Sequence, residues 1–141
     1  RRTYKGKWQR IGDVNSGDTL TYVDTSAKSG TWYAYRIRAR KGTSFGAYSD
    51  AVVTRRLTRP AISVKERSYG VAVKWKSIKG AKKYKIYRQE EKGSMKQIGT
   101  TTDPYWKDKT ARSGYRYVYT VKAVSGSAQS CAAKRVTIIK K

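Results

Sequence analysis

Lysine and arginine are the side chains through which this sequence could act chemically. They number 33 against nine aspartates and glutamates, which gives a formal net charge of +24. A charge of this size informs about partners rather than fold, and it favours polyanions. The densest basic group consists of Lys74, Lys76, Lys79, Lys82, Lys83, Lys85 and Arg88. A second, alternating row consists of Trp32, Arg36, Arg38 and Arg40.

These two groups are the candidate polyanion-binding residues, although each cation taken alone is most simply solvated surface. The candidate polymers are wall teichoic acid, acidic polysaccharide, a membrane surface and nucleic acid. Trp32, Tyr48 and Tyr87 are the candidate exposed aromatics for contact with carbohydrate. A single-strand groove would interleave aromatics with cations, but most tyrosines alternate onto the predicted core face, and no nucleic-acid-binding motif is recognisable. Anionic cell-wall or polysaccharide polymers are therefore the preferred partners over nucleic acid.

The residues needed for catalysis or metal binding are scarce. The sequence has no histidine and one cysteine, Cys131. This excludes histidine-dependent triads, zinc clusters and an internal disulfide. No glycine-rich phosphate loop occurs. Asp24 and Asp108 occupy matching repeat positions, so we predict turn caps rather than calcium ligands. The sequence predicts neither an enzyme nor a cofactor.

An internal repeat shows which elements position these residues. Residues 30–39 and 114–123 share the pattern Gly-x-x-Tyr-x-Tyr-x-[Ile/Val]-x-Ala at a separation of 84 (114 − 30). Residues 8–12 match 95–99 at 87, and residues 47–49 are predicted to match 128–130 at 81. A period near 84 is typical of small β-sandwiches in tandem.

Period-two alternation of β-branched and aromatic residues predicts strands throughout. In the second copy they lie near 61–66, 70–76, 82–89, 95–100, 104–108, 115–124 and 129–139. In the first copy they lie near 7–12, 19–24, 31–41 and 44–55. We predict a complete module over 58–141 and the last four strands of another over 1–57.

The alternation also predicts which side chains face the core. The inward set is Val71, Val73, Trp75, Tyr84, Ile86, Tyr117, Tyr119, Val121 and Ala123, with Tyr33, Tyr35, Ile37 and Ala39 in the first copy. Ala72 and Thr120 are among the residues predicted on the outward face. This in-out pattern is typical of antiparallel sheets with one solvated face.

The second copy resembles a bacterial fibronectin type III module. Pro60 falls at the first strand and Trp75 at the core tryptophan of that family. Residues 80–88 match a Gly-Ala-x-x-Tyr-x-Ile-Tyr-Arg run that is seen in surface proteins of Gram-positive anaerobes. The resemblance implies an all-β, immunoglobulin-like sandwich repeat. It also implies a tyrosine corner, in which the Tyr117 hydroxyl bonds to backbone just upstream.

The resemblance implies a non-catalytic spacer or adhesion module of a larger surface or secreted protein, located outside the cell. Two alternatives stay open. The segment could be an accessory module of a secreted carbohydrate-active or cell-wall hydrolase, or it could bind a protein through an open sheet edge. No run of residues approaches the length of a membrane span.

The first copy is expected to be incomplete, because it lacks sequence matching the first three strands. Three explanations remain. The chain could be a cleaved or truncated stretch of a longer one, or the missing strands could exist without being part of this sequence. Alternatively, another chain could supply them by strand complementation or by a strand-swapped dimer.

Overall fold

The computed structural model describes residues 1–141 and contains strands and turns but no helix. The chain divides into two compact units, residues 1–56 and 57–141. Each unit is built from antiparallel strands. The structure has no helix that is long and apolar enough to cross a membrane.

Unit 2 is a sandwich of two sheets. The strands of the first sheet, in the order β10-β7-β6, are β6 (Ile62–Arg67), β7 (Gly70–Trp75) and β10 (Tyr105–Asp108). The strands of the second sheet are β8 (Lys83–Glu90), β9 (Lys96–Thr101), β11 (Arg116–Ser125), β12 (Ala128–Gln129) and β13 (Val136–Ile139). Its order is β12-β11-β8-β9, and β13 also pairs with β11. The predicted strand near 129–139 is thus broken into two short strands.

The core of unit 2 lies between the inner faces of the two sheets. Val71 and Val73 are fully buried on one side, and Tyr117 and Tyr119 on the other. Trp75 is 7% exposed and packs edge-on against Tyr84. Burying large apolar side chains of this kind stabilises a fold by about 1.5–3 kcal/mol each. The predicted inward set of the second copy is confirmed.

Two residues predicted to face outward do so, yet they are covered by their neighbours and are not solvated. Ala72 is 1% exposed because its small side chain lies below longer neighbours on the adjacent strands. Thr120 is 5% exposed, and its hydroxyl donates to the carbonyl of Ala133 at 2.8 Å. The 130–135 segment therefore covers part of the outer surface of the second sheet.

Unit 1 has fewer strands. These are β1 (Arg2–Thr3), β2 (Trp32–Tyr35), β3 (Arg40–Lys41), β4 (Ser44–Phe45) and β5 (Val52–Arg55). Strands β1, β2 and β5 form one sheet in that order, and β3 pairs with β4 as a hairpin. The predicted strands at 31–41 and 44–55 are therefore each interrupted.

The repeat in the sequence is also a repeat in hydrogen-bond register. Trp32 pairs with Arg55, and Arg116 pairs with Ile139, with both partners displaced by 84 positions. The hairpin pair Arg40–Phe45 recurs as Val124–Gln129 at the same displacement. The predicted match of 47–49 with 128–130 is therefore wrong, because backbone pairing aligns 44–46 with 128–130.

The strands predicted at 7–12 and 19–24 are absent. Their equivalents in unit 2, β9 and β10, pair with β8 and β7. Unit 1 has no counterpart of β7 and only the two-residue β1 in place of β8. A strand needs a neighbour to satisfy its backbone groups, so these segments have no ladder to join.

Unit 1 also exposes side chains that the pattern predicts inside. Ile37 is 76% exposed, and Ala39 is exposed as well. Leu20 and Val23, for which no orientation was predicted, are also exposed, at 91% and 77%. Tyr33, in contrast, is buried beneath its neighbours at 5%. The predicted inward orientation is thus correct near β2, but no opposing sheet covers the other side chains that were predicted to face inward.

Candidate polyanion-binding surfaces

Arg88 does not belong to the basic surface, contrary to the prediction. Its guanidinium donates to the Asp108 carboxylate at 2.8 Å and to the Thr110 hydroxyl at 2.8 Å. The Tyr119 hydroxyl donates to the same carboxylate at 2.7 Å. Asp108 is 3% exposed. We call these four residues the Asp108 brace, and the role of Arg88 in it is to neutralise a buried acid.

The brace sets the protonation of its members. Burial alone would raise the pKa of Asp108, but hydrogen bonds from Tyr119, Thr110 and Arg88 outweigh it and hold the pKa below its usual value. Burial and the bond to Asp108 raise the pKa of Tyr119 well above its usual range. The brace is therefore an ionised carboxylate held by neutral and cationic donors.

Unit 1 contains a second copy of this arrangement. Arg1 and Tyr35 donate to the Asp24 carboxylate at 2.7 and 2.8 Å. The backbone amide of Ser26 donates to it at 3.0 Å, as that of Thr110 does to Asp108. The predicted structural role of both aspartates at turns is confirmed.

The tyrosine corner implied by the resemblance is confirmed as well. The Arg112 amide donates to the Tyr117 hydroxyl at 2.9 Å. The equivalent bond in unit 1 joins Lys28 and Tyr33 at the same distance.

The predicted lysine group does not form one cluster. Lys74 lies on β7 and Lys85 on β8, and these consecutive strands belong to different sheets. Their outward side chains therefore lie on opposite faces of the sandwich. Lys83 shares the β8 side, and the exposed connection between the strands carries Lys76, Lys79 and Lys82. The interpretation as two adjacent strands is wrong because the chain crosses between sheets here.

One compact basic face surrounds the outer side of β7. Paired residues in neighbouring strands point to the same side of a sheet. Lys74 therefore lies beside Ser63 and Tyr105. Lys65 and Lys107 lie on either side of Ala72. Arg67 continues the row on β6 and lines the same shallow depression. The cations of this β7 face are Lys65, Arg67, Lys74 and Lys107.

Tyrosines border the β7 face. The Tyr69 and Tyr105 hydroxyls are hydrogen bonded to each other. The Lys107 ammonium lies 5.8 Å from both ring centroids, and that of Lys74 lies 5.4 Å from Tyr105. None of the ion pairs in the structure involves a cation of this face. Its charge is thus uncompensated by a neighbouring carboxylate.

A second basic face lies on the outer side of β8. Lys85 pairs with Lys122, whose ammonium lies 5.7 Å from the Tyr87 ring centroid. Tyr87 and Lys122 line a small depression together with Arg135. Tyr87 is half-buried rather than freely exposed. This β8 face mixes its cations with apolar groups.

The predicted arginine row of unit 1 takes part in a chain of ring contacts. The Arg36 guanidinium carbon lies 4.1 Å from the Trp8 ring centroid and 3.8 Å from that of Tyr48. That of Arg38 lies 4.6 Å from Tyr48 and 3.9 Å from Phe45. Arg2 contacts the Trp8 ring at 5.0 Å. We call these residues the arginine–aromatic stack: Arg2, Trp8, Arg36, Tyr48, Arg38 and Phe45.

Arg40, the third arginine of the row, is exposed and takes no part in these ring contacts.

The stack changes the interpretation of the predicted exposed aromatics. Tyr48 is 47% exposed, yet two guanidiniums occupy its ring surface. Trp32 is 38% exposed, and Arg55 lies over its ring at 4.5 Å. Arg36 and Arg38 therefore compete with a sugar for the Tyr48 ring.

Sequence reasoning missed several residues of these surfaces. Lys65, Arg67 and Lys107 are dispersed in the sequence, and only strand pairing brings them to Lys74. The alternation Lys65-x-Arg67 on a predicted strand was the available signal. Trp8 carried no comparable signal, because its neighbours in the stack come from distant residues.

Comparison with known proteins gives the fold a context. No family model and no curated protein matches the sequence. A solved structure titled "Structure of FN3tt mut" matches with a TM-score of 0.53 and 20% identity over 59% of this chain and 94% of its own. The FN1–FN3 domains of chicken CNTN1 match with a TM-score of 0.50 and 19% identity, over 85% of this chain and 44% of their own.

A third similar structure is the pectate lyase PelI from Erwinia chrysanthemi in complex with tetragalacturonic acid. Its TM-score is 0.50 and its identity 21%, over 56% of this chain and 28% of the lyase. The similarity thus covers about a quarter of that enzyme. Together these matches show that the chain has a fibronectin type III-like, all-β fold.

Proposed function

We propose that this chain, with its fibronectin type III-like fold, is a non-catalytic spacer or adhesion segment that binds acidic polysaccharide outside the cell. The fold hosts many activities, so the function must be derived from its surfaces. The β7 face offers cations without carboxylates on a rigid sheet, and it offers no constellation of residues for bond cleavage.

The absence of ion pairs on the β7 face is the observation that supports this proposal most strongly. Lys65, Lys74 and Lys107 extend from three neighbouring paired strands, so their backbone spacing is fixed. Like charges held together raise the local potential and attract polyanions, and the attraction falls with salt. A flat row of this kind fits an extended polymer better than a small ligand.

The first prediction concerns the variant K65A/K74A/K107A. At about 0.1 M salt its affinity for heparin and for polygalacturonate should fall about tenfold or more, because surface charges separated by less than a Debye length act together. Isothermal titration calorimetry at several salt concentrations measures the affinity and its salt dependence.

The matched control is K28A/K92A/K141A, which removes three exposed lysines outside this face. It should change the affinity by less than about twofold. Equal losses in the two triple variants would show attraction by net charge alone, and a wild-type chain that binds neither polymer would overturn the proposal.

Two alternatives have specific support. The similarity to part of a pectate lyase favours an accessory module of a carbohydrate-active enzyme, and the sequence flanking this segment in its parent protein would decide that. The exposed apolar face of unit 1, with Ile37 76% and Val52 67% exposed, favours a protein partner. Its test is the mass of the chain in solution.

A further inference from the structure

In the arginine–aromatic stack of unit 1, the guanidiniums of Arg36 and Arg38 are held by contacts with aromatic rings, which an ordinary surface arginine lacks. Arg36 contacts two rings and Arg38 contacts two rings, with Tyr48 shared between them. Contact between a ring and a guanidinium orients the planar cation and lowers the conformational entropy left to lose on binding. The arginines are therefore arranged before any ligand arrives.

The donors of these arginines remain available. None of the ion pairs in the structure involves Arg2, Arg36 or Arg38. A ring that covers the flat face of a guanidinium leaves its N–H groups in the plane, where they can form paired bonds to oxyanions. The stack thus contains three arginines, Arg2, Arg36 and Arg38, that contact rings and form no ion pair.

We propose that the arginine–aromatic stack is a binding site for the charged groups of an acidic polysaccharide, either carboxylate or sulfate. This inference rests on the proposed function in one respect, since it takes the same kind of polymer as the ligand. The stack and the β7 face recognise that polymer in different ways. Lysines there supply point charges, whereas Arg36 and Arg38 supply planar forks that bond two oxygens of one group.

The stack also determines what is not recognised. Aromatic side chains usually bind sugars through their ring faces, but arginines occupy the Tyr48 ring. We therefore expect the site to recognise the acid groups of the polymer in preference to the sugar rings. A neutral oligosaccharide of the same length should not bind to it.

The decisive variant is R36K/R38K, which keeps both charges but removes the planar forks. Its affinity for a heparin tetrasaccharide or for tetragalacturonic acid should fall about tenfold, because lysine bonds an oxyanion as a point charge. The matched control R40K/R59K changes two exposed arginines outside the stack and should stay within about twofold of wild type. Chitotetraose, which is neutral, should bind to none of the proteins.

NMR of the unmodified chain gives a readout that does not depend on the folding of a variant. The Nε–Hε signals of Arg36 and Arg38 should shift on addition of the tetrasaccharide, whereas that of Arg59 should not. If these signals stay in place, or if R36K/R38K binds as wild type does, the proposal is wrong.

Loss of binding in K65A/K74A/K107A but not in R36K/R38K would overturn this inference and leave the proposed function standing. The reverse outcome would support the stack and overturn the role of the β7 face.

The two ligands differ in their charged groups, since heparin carries sulfate and carboxylate and tetragalacturonic acid carries carboxylate alone. Binding of tetragalacturonic acid shows that carboxylate is sufficient, and binding of the heparin tetrasaccharide alone shows that sulfate is required. Both results support the site, since a guanidinium fork bonds either anion.

Discussion

At the scale of single residues, the basic side chains divide into those that build the fold and those left to bind. Arg88 and Arg1 are each bound to a turn aspartate at 2.8 and 2.7 Å. Burying such an ion requires a partner, and removing one member leaves the other uncompensated. Arg36 and Lys74 have no such partner. Charge at a sequence position therefore says little about function until its neighbours are known.

The Asp108 brace predicts a defined pH dependence of stability. The pKa of Asp108 lies below its usual value in the folded state, so the unfolded chain binds a proton more readily. The stabilisation is fully present above the unfolded pKa of about 3.9 and is lost as pH falls through the lower folded value. Asp108→Asn should destabilise unit 2 by about 3 kcal/mol at pH 7, because Arg88 keeps a half-buried charge.

Urea denaturation of both proteins between pH 7 and pH 2 checks this prediction. The stability difference between wild type and Asp108→Asn should shrink once the pH is below about 4. Asp103→Asn, at an exposed acid, is the control and should stay close to wild type throughout. A difference that is constant over the whole range would contradict the assignment of the ionised carboxylate.

At the scale of elements, connections between strands decide which residues meet. Strands β6 and β7 join through a tight turn that ends at Gly70, whose φ is 135°. A Cβ at this position would lie 2.0 Å from the Asp108 carbonyl oxygen, which is backbone. The start of β7 thus approaches the end of β10 so closely that only glycine fits.

Gly70→Ala should therefore destabilise the chain by more than about 2 kcal/mol, since both a disfavoured φ and a backbone clash must be relieved. Gly126→Ala is the matched control. Gly126 also has a positive φ, 59°, but a Cβ there meets open space, so its cost should be about 1 kcal/mol. Urea midpoints of the two variants test this, and equal losses would show that the clash is relieved by a small local shift.

At the scale of the whole molecule, the two units bury their apolar residues very unequally. Unit 2 has a continuous core, whereas unit 1 leaves Leu20, Val23, Ile37 and Val52 more than half exposed. Val52 pairs with Tyr35, two residues before Ile37, so Ile37 and Val52 belong to one apolar face of unit 1. An exposed apolar face marks an interaction surface or an aggregation hazard, and a partner that covers it would gain the burial that unit 1 lacks.

Light scattering at rising protein concentration tests for such a partner in a second copy. If copies pair through this face, the measured mass should rise above the 16.0 kDa of one chain. The variant I37K/V52K should then return it to one chain, since lysine is costly to bury. A mass of 16.0 kDa at every concentration would contradict self-association.

Much of the fold of unit 2 was predictable because its strands alternate regularly. Six of its strands lie within about two residues of their predicted bounds, and Trp75 and Tyr117 occupy the places expected for them. The last strand was not predictable in detail, because 130–135 is bonded to β11 through the Ser130 and Ala133 amides but forms no regular ladder. Local pattern cannot distinguish such an irregular segment from a regularly paired strand.

The candidate surfaces were less predictable, since they depend on pairing between distant strands. Lys74 and Lys85 are close in sequence yet lie in different sheets, whereas Lys74 and Tyr105 are distant in sequence yet paired. Tyr48 was correctly predicted to lie at the surface. The contacts of Arg36 and Arg38 with its ring could not be predicted from the positions of these residues in the sequence. Alternation along a strand predicts whether a side chain faces outward. Which side chains are neighbours on the surface depends on how the strands pair.

The Asp108 brace also has a mechanical meaning. Arg88 and Tyr119 belong to one sheet and Asp108 to the other, so their bonds cross the layer between the sheets. Apolar contacts are non-directional, whereas short bonds to a fixed carboxylate lengthen as soon as one layer shears past the other. The two sheets are therefore held in register by directional bonds that converge on one buried acid, in addition to their apolar packing.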